Sequence, residues 1–503
     1  MTGDVTVPER VGTAGGLRAY PSFLRLWAGQ ASGAIGDQVL PVAMSLYVLH
    51  HGGGAGAVGE VLAGRAAALV VCLLAGGVIA DRMRRTRVLI GADCFRAVVL
   101  VVAGLALPRL ALGVLPLVTA LVGAGEALSR PASRSLLPAL LPDALLERGN
   151  ALVAAAQRGS AVLGALVGVG AVTLIGVRPA LFVTAGVFAV GALMVRGVPD
   201  AGPRAAAQRA GVVRDALAGL RAVRRRGWVM AVMGTVCLHL FAGSATALTL
   251  LPVVARRDFG GDLAYGLVLA AMGAGALPAI ALAGRWRPQA RGAVSLLALS
   301  GYALVPLSLA GPLPLPGVIG CFAWGGFVVE LSFVYWISAL QRAFPDEVLG
   351  KVFALDQLGA YALLPVGYVL VGPVVAVVGA AGTLIGGAVV VAVSSVVCLA
   401  VPGVARFADP TPLGPADAAG APAGPADAAG APAGPADTAG APAGPADTDP
   451  AFSIPADADG APCGPVVADG VPAGPGSAGP VGRVPVDPHG PGPASTGPPG
   501  SAG

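Results

Sequence analysis

The 503 residues are 55% hydrophobic and only 12% charged, with a mean hydropathy of +0.78. A soluble domain carries about a quarter charged residues, so this chain holds about half the usual number and falls outside the ordinary soluble class. Its net charge of +5 and isoelectric point near 9.0 do not describe a nucleic-acid-binding face, because the arginines cluster in alternate connections between apolar runs, which is an orientation signal in a membrane.

Taken in chain order, Met1–Ala19 is polar and has no apolar h-region, so no cleaved signal peptide is expected and residues 1–22 read as a cytoplasmic N-terminus. Apolar runs of about 20 residues, the length that crosses a bilayer core, then follow at 24–49, 57–80, 87–107, 111–130, 151–174 and 177–196. A second set follows at 228–253, 263–284, 291–310, 316–339, 352–377 and 380–401. The expectation is an all-α membrane protein of twelve transmembrane helices, divided six and six (23–196 and 228–402) by a linker over 197–227. Odd-to-even connections are short and poor in positive charge. Even-to-odd ones carry Arg82, Arg84, Arg85 and Arg87, then Arg134 and Arg148, Arg204 to Arg226, Arg285 and Arg287, and Arg342 with Lys351. Arg256 and Arg257 are the main exception. The positive-inside rule therefore predicts a multi-pass protein of the inner or plasma membrane with both termini in the cytoplasm.

Within the linker, Val212–Arg226 can form an amphipathic helix lying on the cytoplasmic face, or serve as a solvated tether whose arginines only orient the chain. From residue 403 to 503 the composition changes to Pro, Gly, Ala and Asp, and Gly414–Ala423 recurs as Gly424–Ala433 and, with one Thr, as Gly434–Ala443. Such a segment buries too little surface to offset its chain entropy and is expected to be disordered. The six cysteines show no metal-ligand or CxxC spacing and read as small hydrophobes.

Between the second and third apolar runs stands Gly77-Val-Ile-Ala-Asp81-Arg82-Met-Arg84-Arg85-Thr86-Arg87-Val-Leu89, a tight cationic loop between membrane-length segments. It resembles motif A of the major facilitator superfamily, with Gly77, Asp81, Arg82, Arg85 and Leu89 at the pattern's positions and Arg84 and Thr86 departing from it. Three further stretches resemble the enterobactin-exporter-like and macrolide-efflux-like members of that superfamily. They are Phe23 to Gln30 with Gly36-Asp37, Pro131 to Pro142 with Gly149-Asn150-Ala151-Leu152, and Gln341-Arg342 to Gly350-Lys351-Val352-Phe353. The resemblance covers the transmembrane region and excludes the tail. It implies two six-helix bundles with a substrate path between them near the midplane. It also implies a gating role for Gly77, Asp81, Arg82 and Arg85, in which Asp81 meets the helix start near Lys351–Phe353. Gly164-Ala165-Leu166-Val167-Gly168 lacks the Pro of the superfamily's antiporter element in helix 5, while its glycines still permit close helix approach.

Ionised side chains inside the membrane cost about 2.5–3.5 kcal/mol each on insertion scales, so each needs a reason. Asp37 is the first candidate for a carboxylate that carries a proton or binds a cation while facing the central cavity. Its alternative is a structural pair with Arg65. Glu330 has no charge at helical spacing and is the second cavity carboxylate expected. Glu126, a further candidate for proton or substrate coupling, precedes Arg130 by four residues, and Asp93 precedes Arg96 by three; both spacings also suit structural ion pairs. His239 either titrates near neutral pH or packs through a hydrogen bond. Trp324, Phe327, Tyr335 and Trp336 either line an apolar cavity or face lipid and neighbouring helices.

No P-loop, HExxH, GxSxG or paired-cysteine site is present, so the chain is expected to be no enzyme, to need no cofactor and to work without an ATPase subunit. The resemblance implies a secondary active transporter that exports a small amphipathic molecule against protons. Uptake of a metabolite by symport, and a non-transporting sensor or scaffold that uses the tail, stay open as alternatives.

Overall fold

The computed structural model describes residues 13–200 and 219–408, with side chains outside 13–15, 73–82, 143, 147, 346 and 347. The chain divides into two units, Met1–Pro422 and Ala423–Gly503, and every described residue lies in the first. The tail expected to be disordered therefore lies outside the described residues, as does most of the linker; its residues 219–224 are helical.

Every regular element among the described residues is a helix, and eleven stretches are long and apolar enough to cross a membrane. Hydrocarbon offers no hydrogen-bond partner to a free N–H or C=O, and a helix satisfies all of them within one segment. The first six helices are α1 (Pro21–His50), α2 (Ala55–Arg82), α3 (Arg85–Ala106), α4 (Leu115–Leu140), α5 (Asp143–Ile175) and α6 (Val177–Val195). After the linker, α7 (Gly227–Leu238) continues through a π-helical turn, His239–Ser244, into α8 (Ala245–Asp258). Then come α9 (Asp262–Arg285), α10 (Arg291–Ser300), α11 (Leu304–Ala310), α12 (Leu315–Ala343), α13 (Asp346–Tyr361) and α14 (Leu364–Cys398).

The sequence reading separates crossings at 352–377 and 380–401, whereas the structure carries one apolar stretch of 51 residues, Val348–Cys398, across both. The backbone of that stretch stays helical apart from two interruptions. One is the junction of α13 and α14; the other is Gly379 inside α14, at φ 75°.

Large apolar side chains, among them Leu174, Val377 and Val71, stand exposed on the outside of the helices, a surface that suits lipid rather than water. Inside, α1 packs on α5 and α6, α2 on α4, and α3 on α4 and α6. Among the later helices α9 packs on α12, and α10 on both α12 and α14. The two sets meet where α5 packs on α9 and α2 on α14. The α1–α5 contact is as close as its glycines predict, since a Cβ on Gly164 would lie 2.5 Å from the Cβ of Gln38.

Candidate functional site

A cavity of about 560 Å³ lies between the two sets of helices. Leu62, Arg65 and Leu69 of α2 and Arg130 and Arg134 of α4 form one wall. His239, Trp336, Asp356, Tyr361 and Tyr368 contribute to the other, amid a largely aliphatic lining. Apolar walls with a few fixed polar groups are the usual make-up of a small-molecule site.

Behind the first wall, α1 to α4 bring together three carboxylates and three guanidiniums. Glu126 is buried on α4 and accepts a forked pair of bonds from Arg65, at 2.9 and 3.1 Å, and a third from Arg130 at 2.5 Å. Arg96 of α3 is buried too. It holds Asp37 at 2.8 Å, pairs with Asp93 one turn earlier, and donates to the Ser129 hydroxyl on α4 at 3.4 Å. The Phe188 ring of α6 lies 4.2 Å from the Arg96 guanidinium, a cation–π contact that strengthens when water is excluded. Removing one member of a buried charge set strands the rest, at a cost of about 3–5 kcal/mol.

This geometry corrects two expectations. Asp37 meets Arg96 rather than Arg65, and the cavity wall beside it is made by Gln38 and Arg65. Spacing along one helix reveals pairs such as Glu126 with Arg130, but partners on different helices depend on rotations about helix axes that no periodicity encodes. Glu330 likewise does not line the cavity. It binds Arg158 of α5 at 2.8 Å, a partner the sequence reading missed because Arg158 lies more than 170 residues away. The Glu330–Arg158 pair crosses from α12 to α5, and His50 with Asp262 at 2.9 Å crosses from α1 to α9, so ion pairs connect the two sets of helices.

The second wall holds a residue the sequence reading passed over. Asp356 on α13 is buried, lines the cavity, and accepts a hydrogen bond from the Trp336 indole N–H at 3.0 Å. Unlike the other buried carboxylates, it pairs with no cation among the described residues. Its signal was present in the sequence as a charge inside the apolar run 352–377. Of the four aromatic residues considered on α12, Trp336 alone is among the lining residues; Trp324 stacks on Phe327 and Tyr335 donates to the Trp286 carbonyl at 2.9 Å. His239 sits in the π-helical turn, lines the cavity and lies 4.3 Å from the Tyr302 ring, its Nδ1 buried without a hydrogen-bond partner among the described residues. Such turns recur at functional sites, because the extra residue re-aims the side chains beside it.

Around motif A, Gly77, Asp81 and Arg82 lie in the stretch whose side chains are outside the described residues, as does any contact from Asp81 to the Lys351 region. Arg85 is described and donates to the Ser135 carbonyl at 3.1 Å. Thr86, where the family pattern has a basic residue, gives both its backbone N–H and its hydroxyl to Asp200, at 3.0 and 3.2 Å. An anion at the start of α3 is favoured by the helix dipole.

The comparisons with known proteins agree with this architecture. The family model described as Major Facilitator Superfamily matches residues 26–368. The multidrug efflux pump Tap of Mycolicibacterium fortuitum is 27% identical over 390 residues, covering 73% of this chain and 91% of that protein. The pump of the same name in Mycobacterium tuberculosis is 27% identical over 403 residues, covering 76% and 93%. Among solved structures, the nucleoside transporter NupG superposes with a TM-score of 0.61 at 11% identity, over 75% of this chain and 99% of that one. A POT family transporter in complex with 5-aminolevulinic acid gives 0.58 at 14% identity, over 76% and 95%. At such identities the structural likeness speaks for the fold alone. With a family model spanning most of its transmembrane region, the chain belongs to the Major Facilitator Superfamily.

Proposed function

We propose that this protein exports small amphipathic molecules across the cell membrane by proton antiport, with Asp356 as the coupling carboxylate. The observation that carries the reading is the central cavity, apolar over most of its lining and bearing a buried carboxylate, Asp356, that has no counter-ion among the described residues. The multidrug efflux pumps named above support export as the direction. A proton moving inward releases about 2.3 kcal/mol per 100 mV of membrane potential, and about 1.4 kcal/mol for each pH unit.

In this scheme the chain crosses the membrane twelve times as two six-helix bundles, with Val348–Cys398 supplying the last two crossings. At 1.5 Å per residue, a helix of 51 residues would run to more than twice a bilayer core of about 30 Å, which favours a turn at one of its two interruptions. Both termini lie in the cytoplasm on the arginine-rich side. The bundles rock about the cavity, and the Glu330–Arg158 and His50–Asp262 pairs hold the form described here until substrate or protons shift the balance. Gly77, Asp81, Arg82 and Arg85 act as the motif A gate by resemblance. Glu126, Asp93, Arg96, Arg65 and Arg130 hold α1–α4 together, and His239 serves as a polar contact for substrate.

Trp336 donates to Asp356 whether or not the carboxyl carries a proton, so titration changes the charge in the cavity without dismantling its wall. Deprotonation toward the cytoplasm creates an anion that favours capture of a cationic amphiphile, and protonation from outside releases it. The test is efflux of cationic dyes from energised cells, with and without a protonophore. Protonophore-sensitive efflux that is lost in Asp356→Asn supports the scheme. Full efflux in that variant removes Asp356 from it, and absence of efflux for every dye despite membrane insertion counts against amphiphile export.

A further inference from the structure

A second concentration of charge lies apart from the central cavity. Where the arginine-rich connections gather, a pocket of about 530 Å³ is lined by Arg226, Arg287, Arg291, Arg342 and Arg406, with no acidic residue among the described residues of its lining. The five arginines come from separate places: the entry to α7, the α9–α10 connection, the start of α10, the last turn of α12, and the 3-10 turn Val404–Arg406. Arg287, Arg291, Arg342 and Arg406 make no ion pair among the described residues.

The pocket is also built. Phe407 adopts a left-handed backbone at φ 51° and ψ 47°, which a bulky side chain seldom occupies. In that conformation its ring stacks on Trp228 at 5.9 Å and meets Trp336 edge-on at 5.8 Å. Gly292 lets this segment close onto α10, since a Cβ there would lie 1.7 Å from the Val404 carbonyl oxygen. The closure brings Arg406 and Arg291 to one pocket.

Orientation in the membrane asks only that arginines lie somewhere in these connections. It does not ask that five converge on an aromatic-floored pocket, where like charges repel unless an anion lies among them. We propose that this pocket binds a phosphate-bearing anion, either the headgroup of an acidic phospholipid or a free phosphate compound. Guanidinium forks match phosphate oxygens two at a time, and basic pockets between transmembrane helices accept acidic headgroups.

The test uses the full chain purified in detergent. Retention of added cardiolipin against phosphatidylcholine is read by native mass spectrometry, and thermal melting is read with and without inorganic pyrophosphate at constant ionic strength. Arg291→Gln combined with Arg342→Gln is expected to weaken anion binding at least about tenfold, since each charged hydrogen bond lost is worth a sizeable part of that factor. Arg109→Gln, outside the pocket, is expected to leave it unchanged. Preferential cardiolipin retention that the double variant loses identifies a lipid headgroup. Stabilisation by pyrophosphate that the double variant loses, without lipid preference, identifies a free phosphate compound. No preference for either anion, or binding undiminished in the double variant, overturns the proposal. Should the double variant fail to insert, Arg406→Gln alone is the substitute, and unchanged binding in it counts equally against the site.

Discussion

The two walls of the central cavity treat charge in opposite ways. Behind α2 and α4, every carboxylate has a guanidinium: Glu126 has two, and Asp37 and Asp93 share Arg96. On the α12–α13 side, Asp356 has a neutral indole donor instead, and His239 has an aromatic neighbour. A paired set is stiff, because moving any member strands the others. A lone carboxylate facing a cavity can change its charge at little structural cost. The contrast assigns scaffolding to the first wall and proposed coupling to the second, although the first is by far the richer in charge.

The largest effect expected from breaking this contrast is on the paired side. Glu126→Gln leaves Arg65 and Arg130 without their common anion and should cost about 3–5 kcal/mol, seen as lost monodisperse protein and a lowered melting temperature in detergent. Adding Arg65→Gln should recover part of that loss. Asp356→Asn should do the reverse, keeping the Trp336 hydrogen bond and the melting temperature while lowering protonophore-sensitive efflux at least about tenfold, or ~1.4 kcal/mol. If it melts early and still transports, the roles of the two walls are exchanged.

Arg158→Glu should perturb the balance between states through Glu330, and the reciprocal exchange with Glu330→Arg should restore it. Couplings of this kind fall at about 1–3 kcal/mol, and double electron–electron resonance between spin labels on α5 and α12 would report the shift in distance populations. The smallest effect belongs to His50→Gln. Its pair with Asp262 is partly exposed, and exposed pairs contribute about 0–1 kcal/mol, so melting should move only slightly.

Much of this molecule was legible in its residues one at a time. Apolar runs of bilayer length and the loop from Gly77 to Leu89 indicated the membrane class and the family, because both are local patterns. The pairs Glu126–Arg130 and Asp93–Arg96 were legible for the same reason, since a helix puts residues three and four apart on one face. The partners of Asp37 and Glu330 were not, and neither was Asp356 as the lone carboxylate among the described residues that line the cavity.

The sequence by itself determined a polytopic helical protein and its place in the superfamily. Burial in hydrocarbon leaves the backbone few alternatives to the helix, so hydropathy suffices for these. Only the tertiary structure decided which charges meet. Helix rotation and crossing are set by side-chain packing between segments far apart in the chain, and that packing turned Asp37 to Arg96, carried Glu330 to Arg158, and left Asp356 facing the cavity with an indole for company.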